Sequence, residues 1–148
     1  MMQNSKNIYQ AARMAAGITQ ERAAELIGTS VRSVAAYESD ERIPADDVVV
    51  HMTEIYGTQF LAYQHLRKNM EIARTILPEV SPTNLPMAIL RIQKEVNDFL
   101  KVRDEMTEIT CDGIIDDREQ ERWIQITKEL DDICQAIITL KFVGEGSI

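Results

Sequence analysis

Glycines at 17, 28 and 57 punctuate the front of this chain, and each is followed within two residues by a hydroxyl side chain: Thr19, Ser30 and Thr58. Glycine takes the left-handed backbone that ends a helix at little steric cost, and a hydroxyl satisfies the open N–H groups that begin the next one. The stretches between carry helical spacing. Ser5 can cap a first helix to about Ala16, with Ile8, Ala12 and Ala15 on one face. Thr19 precedes a second helix, Gln20–Ile27, and Ser30 a third, Val31–Glu38, with Val34 and Tyr37 at inward spacing. Pro44 opens a fourth segment, in which Asp46 or Asp47 can cap 48–56. Ala23 and Ala24 let the second helix approach the third closely, and Gly28 takes a turn conformation that a side chain disfavours.

From Thr58 the pattern lengthens. Phe60, Leu61, Leu66, Met70, Ile72 and Ile76 suit a fifth helix to about residue 77, with Arg67, Lys68 and Arg74 beside them. Residues 78–86 hold three of the four prolines and read as a stiff, non-helical connector. Beyond it, 87–110 sets Ile89, Ile92, Val96, Phe99 and Met106 on one stripe, interrupted by Arg103. In 117–142, Trp123, Ile126, Leu130, Ile133, Ile137 and Leu140 recur in alternating steps of three and four, a heptad seam. Asp112-Gly113 makes the turn between them, and Asp116 with Glu119 can form a capping box. Aromatics are 5% of a chain that is 45% apolar, with six Gly and four Pro, which favours an all-α protein. The expected organisation is a short-helix bundle over 1–57, a connecting helix over 58–77, a linker over 78–86 and a long antiparallel helix hairpin over 87–148.

Charge and motif content narrow the function. The net charge is −8. Residues 1–60 carry five basic and eight acidic groups, 61–77 three and one, and 78–148 eight and fifteen, so most of the acidity lies at the back. No apolar run approaches the ~18 residues of a membrane span, and no signal peptide is evident, so a cytoplasmic location is expected. Cys111 and Cys134 lack metal or redox spacing and read as helix-packing residues. His51 and His65 have no ligand-spaced partners, and Asp112-Gly-Ile-Ile-Asp116 lacks the acidic positions of a calcium loop, so no metal is expected. No cofactor motif and no nucleophilic constellation is present, and the chain reads as no enzyme.

Three short helices with glycine at each tight turn are the sequence form of a helix-turn-helix. The run Gly17-Ile-Thr-Gln-Glu-Arg-Ala-Ala-Glu-Leu-Ile-Gly-Thr-Ser-Val-Arg-Ser-Val-Ala-Ala-Tyr-Glu38, with Arg13 before it and Arg42 and Pro44 after it, resembles the XRE/Cro/C1 family of helix-turn-helix transcription regulators. The resemblance covers roughly a third of the chain and implies a lambda-repressor-like bundle. It implies that Thr19 and Gln20 lie against DNA phosphate, where a helix N-terminus already favours an anion. It further implies that Thr29, Ser30, Val31, Arg32 and Ser33 present to base edges, with Ala36 one turn on, and that Arg42 lies near phosphate. Arg32 suits bidentate reading of guanine and Val31 contact with a thymine methyl. Arg13 and Glu38 match a family ion pair between the first and third helices. Ala23 stands where the family usually has leucine, and Asp40 where it usually has glycine. Ser39-Asp-Glu41 replaces basic residues, which weakens the expected hold on phosphate.

The C-terminal half loosely resembles the helical tails of phage regulatory proteins of the CII type. Because helix-turn-helix proteins commonly bind paired half-sites, that half is expected to make a homodimer through Trp123, Ile126, Leu130, Ile133, Ile137 and Leu140. No pocket for a small-molecule or peptide effector is legible. The expected function is a sequence-specific transcription regulator of bacterial or phage type, bound to double-stranded operator DNA. The alternative is a protein-interaction module, an antirepressor or scaffold. A positive face made by Lys6, Gln20, Arg32 and Arg42 favours DNA, and one dominated by Asp40, Glu41, Asp46 and Asp47 favours the alternative.

Overall fold

The structure is a computed structural model that describes residues 7–81, 83–143 and 145. These form eight α-helices and no strand, so the fold is all-α. They divide into two compact units, Met1–Leu77 with Gly144–Ile148, and Pro78–Val143. Among the described residues no helix is long and apolar enough to cross a membrane.

The first unit holds α1 (Ile8–Ala15), α2 (Gln20–Ile27), α3 (Val31–Glu38), α4 (Asp46–Tyr56), α5 (Phe60–Asn69) and α6 (Glu71–Ile76). Asn7 caps α1, its Oδ1 accepting from the N–H of Tyr9 at 2.8 Å and of Gln10 at 3.4 Å. The Ser5 cap expected from the sequence falls outside the described residues. Thr19 Oγ1 accepts from Arg22 N at 3.2 Å, and Ser30 Oγ from Ser33 N at 3.0 Å. Gly28 closes α2 with a left-handed φ of 78°. The core gathers Tyr9, Ala24, Val34, Met52 and Leu61 around Ala23, which is fully buried. An alanine there lets the neighbouring backbones approach, where a longer side chain would have to be accommodated.

Three expectations for this unit are corrected. The fourth helix starts at Asp46, not 48, and has no side-chain cap: Ala45 holds the cap position and Asp46 turns to His65 instead, 3.4 Å away. The fifth helix starts at Phe60, not Thr58, and its free end is closed by Glu145, whose Oε2 accepts from Phe60 N at 2.8 Å and from Thr58 Oγ1 at 3.2 Å. It is also not continuous to 77. Met70 is extended (φ −117°, ψ 119°), which separates α5 from α6. Side chains satisfy the carbonyls that the break frees. Arg74 Nη1 donates to Arg67 O and Lys68 O at 3.0 and 3.2 Å, and Asn69 Nδ2 adds a bond of 3.0 Å to His65 O within α5.

The second unit is a pair of long helices, α7 (Leu85–Ile109) and α8 (Gln120–Phe142). Asn84 caps α7 through Met87 N at 3.0 Å, so Leu85 and Pro86 belong to the helix and not to the connector expected over 78–86. Proline suits a first turn because its missing N–H has no intrahelical acceptor to lose. Asp116 and Glu119 make a reciprocal box before α8: Asp116 Oδ1 accepts from Glu119 N, and Asp116 N donates to Glu119 Oε2, both at 3.1 Å. The regular helix begins after that box, at Gln120 and not 117.

The helices run antiparallel, cross-linked by Arg91 Nη2 to Gln135 Oε1 at 2.7 Å near one end and by the Arg122–Glu105 pair near the other. The buried residues between them are Ala88, Glu95 and Ile109 of α7 with Ile126, Ala136 and Thr139 of α8. The Glu95 carboxylate comes within 4.8 Å of those of Glu129 and Asp132, and Lys94 stands 3.3 Å from it. Of the expected α7 stripe, Ile92, Phe99 and Met106 are half-buried in register with this inner face, whereas Ile89 and Val96 are 39% and 40% exposed. The α8 seam is divided between the inside of the pair and its surface. Ile126 is fully buried, Trp123, Leu130, Ile133 and Leu140 are half-buried, and Ile137 is exposed. Cys111 and Cys134 are exposed and not packing residues.

Candidate nucleic-acid interface

A reading helix must be held rigidly, and the rigidity here begins with charge. Arg13 of α1 grips Glu38 of α3 with two parallel bonds, Nε to Oε1 at 2.6 Å and Nη2 to Oε2 at 2.9 Å. Its third arm, Nη1, donates to Ile18 O at 2.7 Å, in the turn between α1 and α2. One guanidinium therefore ties α1, that turn and the C-terminal end of α3 together. The bonds from Glu38 hold the Arg13 proton above the usual arginine range. Tyr56 of α4 packs into the core, and burial first, then the Glu38 charge, push its phenol up to about 12.

Gln20 completes this cluster. Its Nε2 donates to Glu38 Oε2 at 2.8 Å, so the side chain turns inward onto the ion pair. Thr19 uses its hydroxyl as the helix cap. Glu21 also occupies the start of α2: its carboxylate accepts from its own backbone N–H and from the Thr19 hydroxyl, which holds it below the usual glutamate range. An acid of the chain itself thus sits at the helix N-terminus that the resemblance assigns to phosphate.

The first turn of α3 is the open part. Ser30, Val31 and Arg32 are exposed, with Thr29, Ser33 and Ala36 half-buried. Ser30 and Ser33 share a hydroxyl–hydroxyl bond of 2.9 Å. The Arg32 side chain makes no hydrogen bond or ion pair among the described residues, so its five donors stay open. Arg42 is exposed, with its guanidinium 5.7 Å from the centre of the Tyr37 ring. Lys6 falls outside the described residues.

The acidic flank is neutralised only in part: Asp40 is paired, whereas Glu41 and Asp47 are exposed without an ion pair among the described residues. Asp40 has a left-handed φ of 61°. Its Oδ1 accepts from Asn7 Nδ2 at 2.6 Å and pairs with Lys68 of α5, while the same Asn7 group reaches Tyr37 O at 2.9 Å. Asp40 therefore links the end of α3 to α1 and α5, with a lysine opposing its charge. Behind it lies a polar cluster that the sequence did not signal. Tyr9 Oη meets His65 Nδ1 at 2.7 Å, Asn69 Nδ2 donates to Tyr9 Oη at 3.1 Å, and His65 Nε2 faces Asp46 at 3.4 Å. These residues lie on three helices far apart in sequence, so no local spacing announces them.

Residues 10–61 match the family model described as Helix-turn-helix (HTH_3), and the match does not extend into the second unit. No curated protein and no solved structure matches the chain. The matched segment spans most of α1, all of α2, α3 and α4, and the start of α5, with its glycine turn, hydroxyl caps and clamped third helix in place. Residues 10–61 are accordingly a helix-turn-helix domain of the XRE type, the kind found in DNA-binding regulators.

Proposed function

We propose that this protein is a transcription regulator of bacterial or phage type that works in the cytoplasm and binds operator DNA as a homodimer. The carrying observation is Arg32, an exposed guanidinium without a partner among the described residues, on the first turn of a helix clamped at its far end by Arg13 and Glu38. Bidentate reading of guanine needs such a fork on a helix that does not yield, and contributes about 1–3 kcal/mol of discrimination at one base pair. Ser30, Ser33 and the Val31 methyls complete the reading turn, and Arg42 holds backbone phosphate. Thr19 contributes through its N–H, and Gln20 orients α2 through Glu38. Two reading heads on paired half-sites compensate for the few cations on each.

A second reading, a protein-interaction module, is favoured by Val31 and Ile43, 39% and 63% exposed near the ends of α3, and by Glu21 at the start of α2. Genomic-fragment selection with purified protein at low salt separates the two. A short pseudo-palindrome is expected, with Arg32→Ala relaxing the preference at one base pair per half-site by roughly ten- to a hundredfold. Failure to enrich any motif removes the operator reading and leaves the interaction module.

A further inference from the structure

We propose that a second copy of this chain docks on one apolar face of the α7–α8 hairpin, formed by Ile89, Val96 and Leu100 of α7 with Leu130, Ile133 and Ile137 of α8. The inference rests on the homodimer reading above and names its surface. On both helices exposed face residues follow buried ones by one position: Ala88 then Ile89 and Glu95 then Val96 on α7, and Ala136 then Ile137 on α8. One position is about 100° of rotation. Because α8 runs opposite to α7, the same rotation brings both stripes to the same side of the pair. The two cross-links, Arg91–Gln135 and Arg122–Glu105, set the register, which puts Ile89 level with Ile137 and Val96 level with Leu130. Ile89, Val96, Leu100 and Ile137 keep 39–50% of their surface in water.

Size, charge and the weakness of the hairpin's own core select the occupant. From Leu85, 56% exposed, to Leu100 the stripe covers about 24 Å of axis on a pair about 20 Å wide, roughly 500 Å². A monomer rarely leaves more apolar surface than that in one patch. Two copies covering each other bury about 1,000 Å², the floor for a specific interface. Residues 78–143 carry eight basic and fourteen acidic groups, net −6, which opposes nucleic acid as the occupant. None of the six face residues is charged, so two copies meet without like charges between them. Within one hairpin the buried apolar residues are Ala88, Ile109, Ile126 and Ala136, too few to hold two helices of this length firmly. A twofold-related hairpin supplies the missing layer and completes a four-helix bundle.

Sedimentation of the full chain tests this with Val96→Glu and the milder Ile137→Ser, and with Ile124→Glu as the control, since Ile124 is 61% exposed outside this face. The wild type and the control are expected to sediment as dimers, and the two face variants at half that mass with helical circular dichroism retained. Dimeric face variants overturn the surface and leave the homodimer reading standing, whereas a wild type that stays monomeric at high micromolar concentration overturns both. Should the variants lose helicity, methyl NMR of the wild type on dilution decides. Val96, Leu100 and Ile137 signals are expected to shift with concentration while Ile124 stays fixed, and unmoved face methyls in a dimer overturn the proposal.

Discussion

Arg13 and Glu38 retain only 11% and 4% of their side-chain exposure, so the two charges have little water to fall back on. Breaking a buried pair by removing one partner typically costs about 3–5 kcal/mol, because the other charge is left without compensation. Glu38→Ala strands Arg13 and also frees Gln20, and urea unfolding should show a loss in that range. Arg13→Ala should cost a similar amount, and the double variant should cost less than the two added together. Asp40 poses the opposite question, since its left-handed φ is unfavourable for a side chain and its carboxylate bonds to Asn7 and Lys68. Asp40→Ala keeps the backbone cost and loses both bonds, so a destabilisation of about 1–2 kcal/mol is expected. Asp40→Gly loses the bonds but relaxes the backbone, and its unfolding midpoint should lie between those of Asp40→Ala and the wild type. An Asp40→Gly variant weaker than Asp40→Ala would show that the bonds do not explain this residue.

At the scale of elements, α7 illustrates how surface charge is arranged along a helix. Lys101 and Lys94 bond Asp98 at 2.6 and 2.9 Å, one turn to either side, and hold its carboxyl at about 2. A carboxyl lowered on folding stabilises the folded state above its ordinary range near 3.8 and loses that contribution as pH falls through about 2. Asp98→Asn should therefore be less stable than the wild type at pH 5, and the gap in melting temperature should close by about pH 2. A gap independent of pH would show that Asp98 acts through something other than its charge. Helices α2 and α3 and the end of α1 are legible because their boundaries are written locally, in Thr19, Ser30 and the glycines, whereas the cap of α1 is Asn7 and not Ser5. The break at Met70 is not, because apolar spacing runs straight across it and says nothing of the bonds that flank it, Asn69 to Tyr9 of α1 and Arg74 back to the end of α5. The same limit explains the α8 seam. A heptad pattern records that a stripe is buried but not by what, and here α7 takes Ile126 while Ile137 is left outside. In the reading turn, the exposure of Arg32 follows from its place on α3, whereas the capture of Gln20 by Glu38 needed the packed bundle.

Across the whole molecule, a net charge of −8 is an awkward property for something that meets DNA, and its consequence can be measured. Most cations of the first unit are already engaged: Arg13 with Glu38, Arg22 with Glu25, Lys68 with Asp40, and Arg67 and Arg74 with backbone carbonyls. Among the described residues Arg32 and Arg42 remain, one base-facing and one phosphate-facing charge per copy, and so two phosphate-facing charges in the proposed dimer. Counterion release makes the logarithm of affinity fall with the logarithm of salt at about −0.9 per neutralised phosphate. With Arg42 the phosphate-facing cation of each copy, the expected slope for the dimer is then about −2, or roughly a tenfold loss between 50 and 200 mM salt. Fluorescence anisotropy on a selected operator, repeated across that range, measures it directly. Arg42→Ala should weaken binding on every sequence and make the slope shallower by about one per copy, while Arg32→Ala should mainly erase the preference for the operator over scrambled DNA. A wild-type slope near −8 would mean that many more cations reach the backbone than the ion pairs leave free, and the assignment of binding to two arginines per copy would fail.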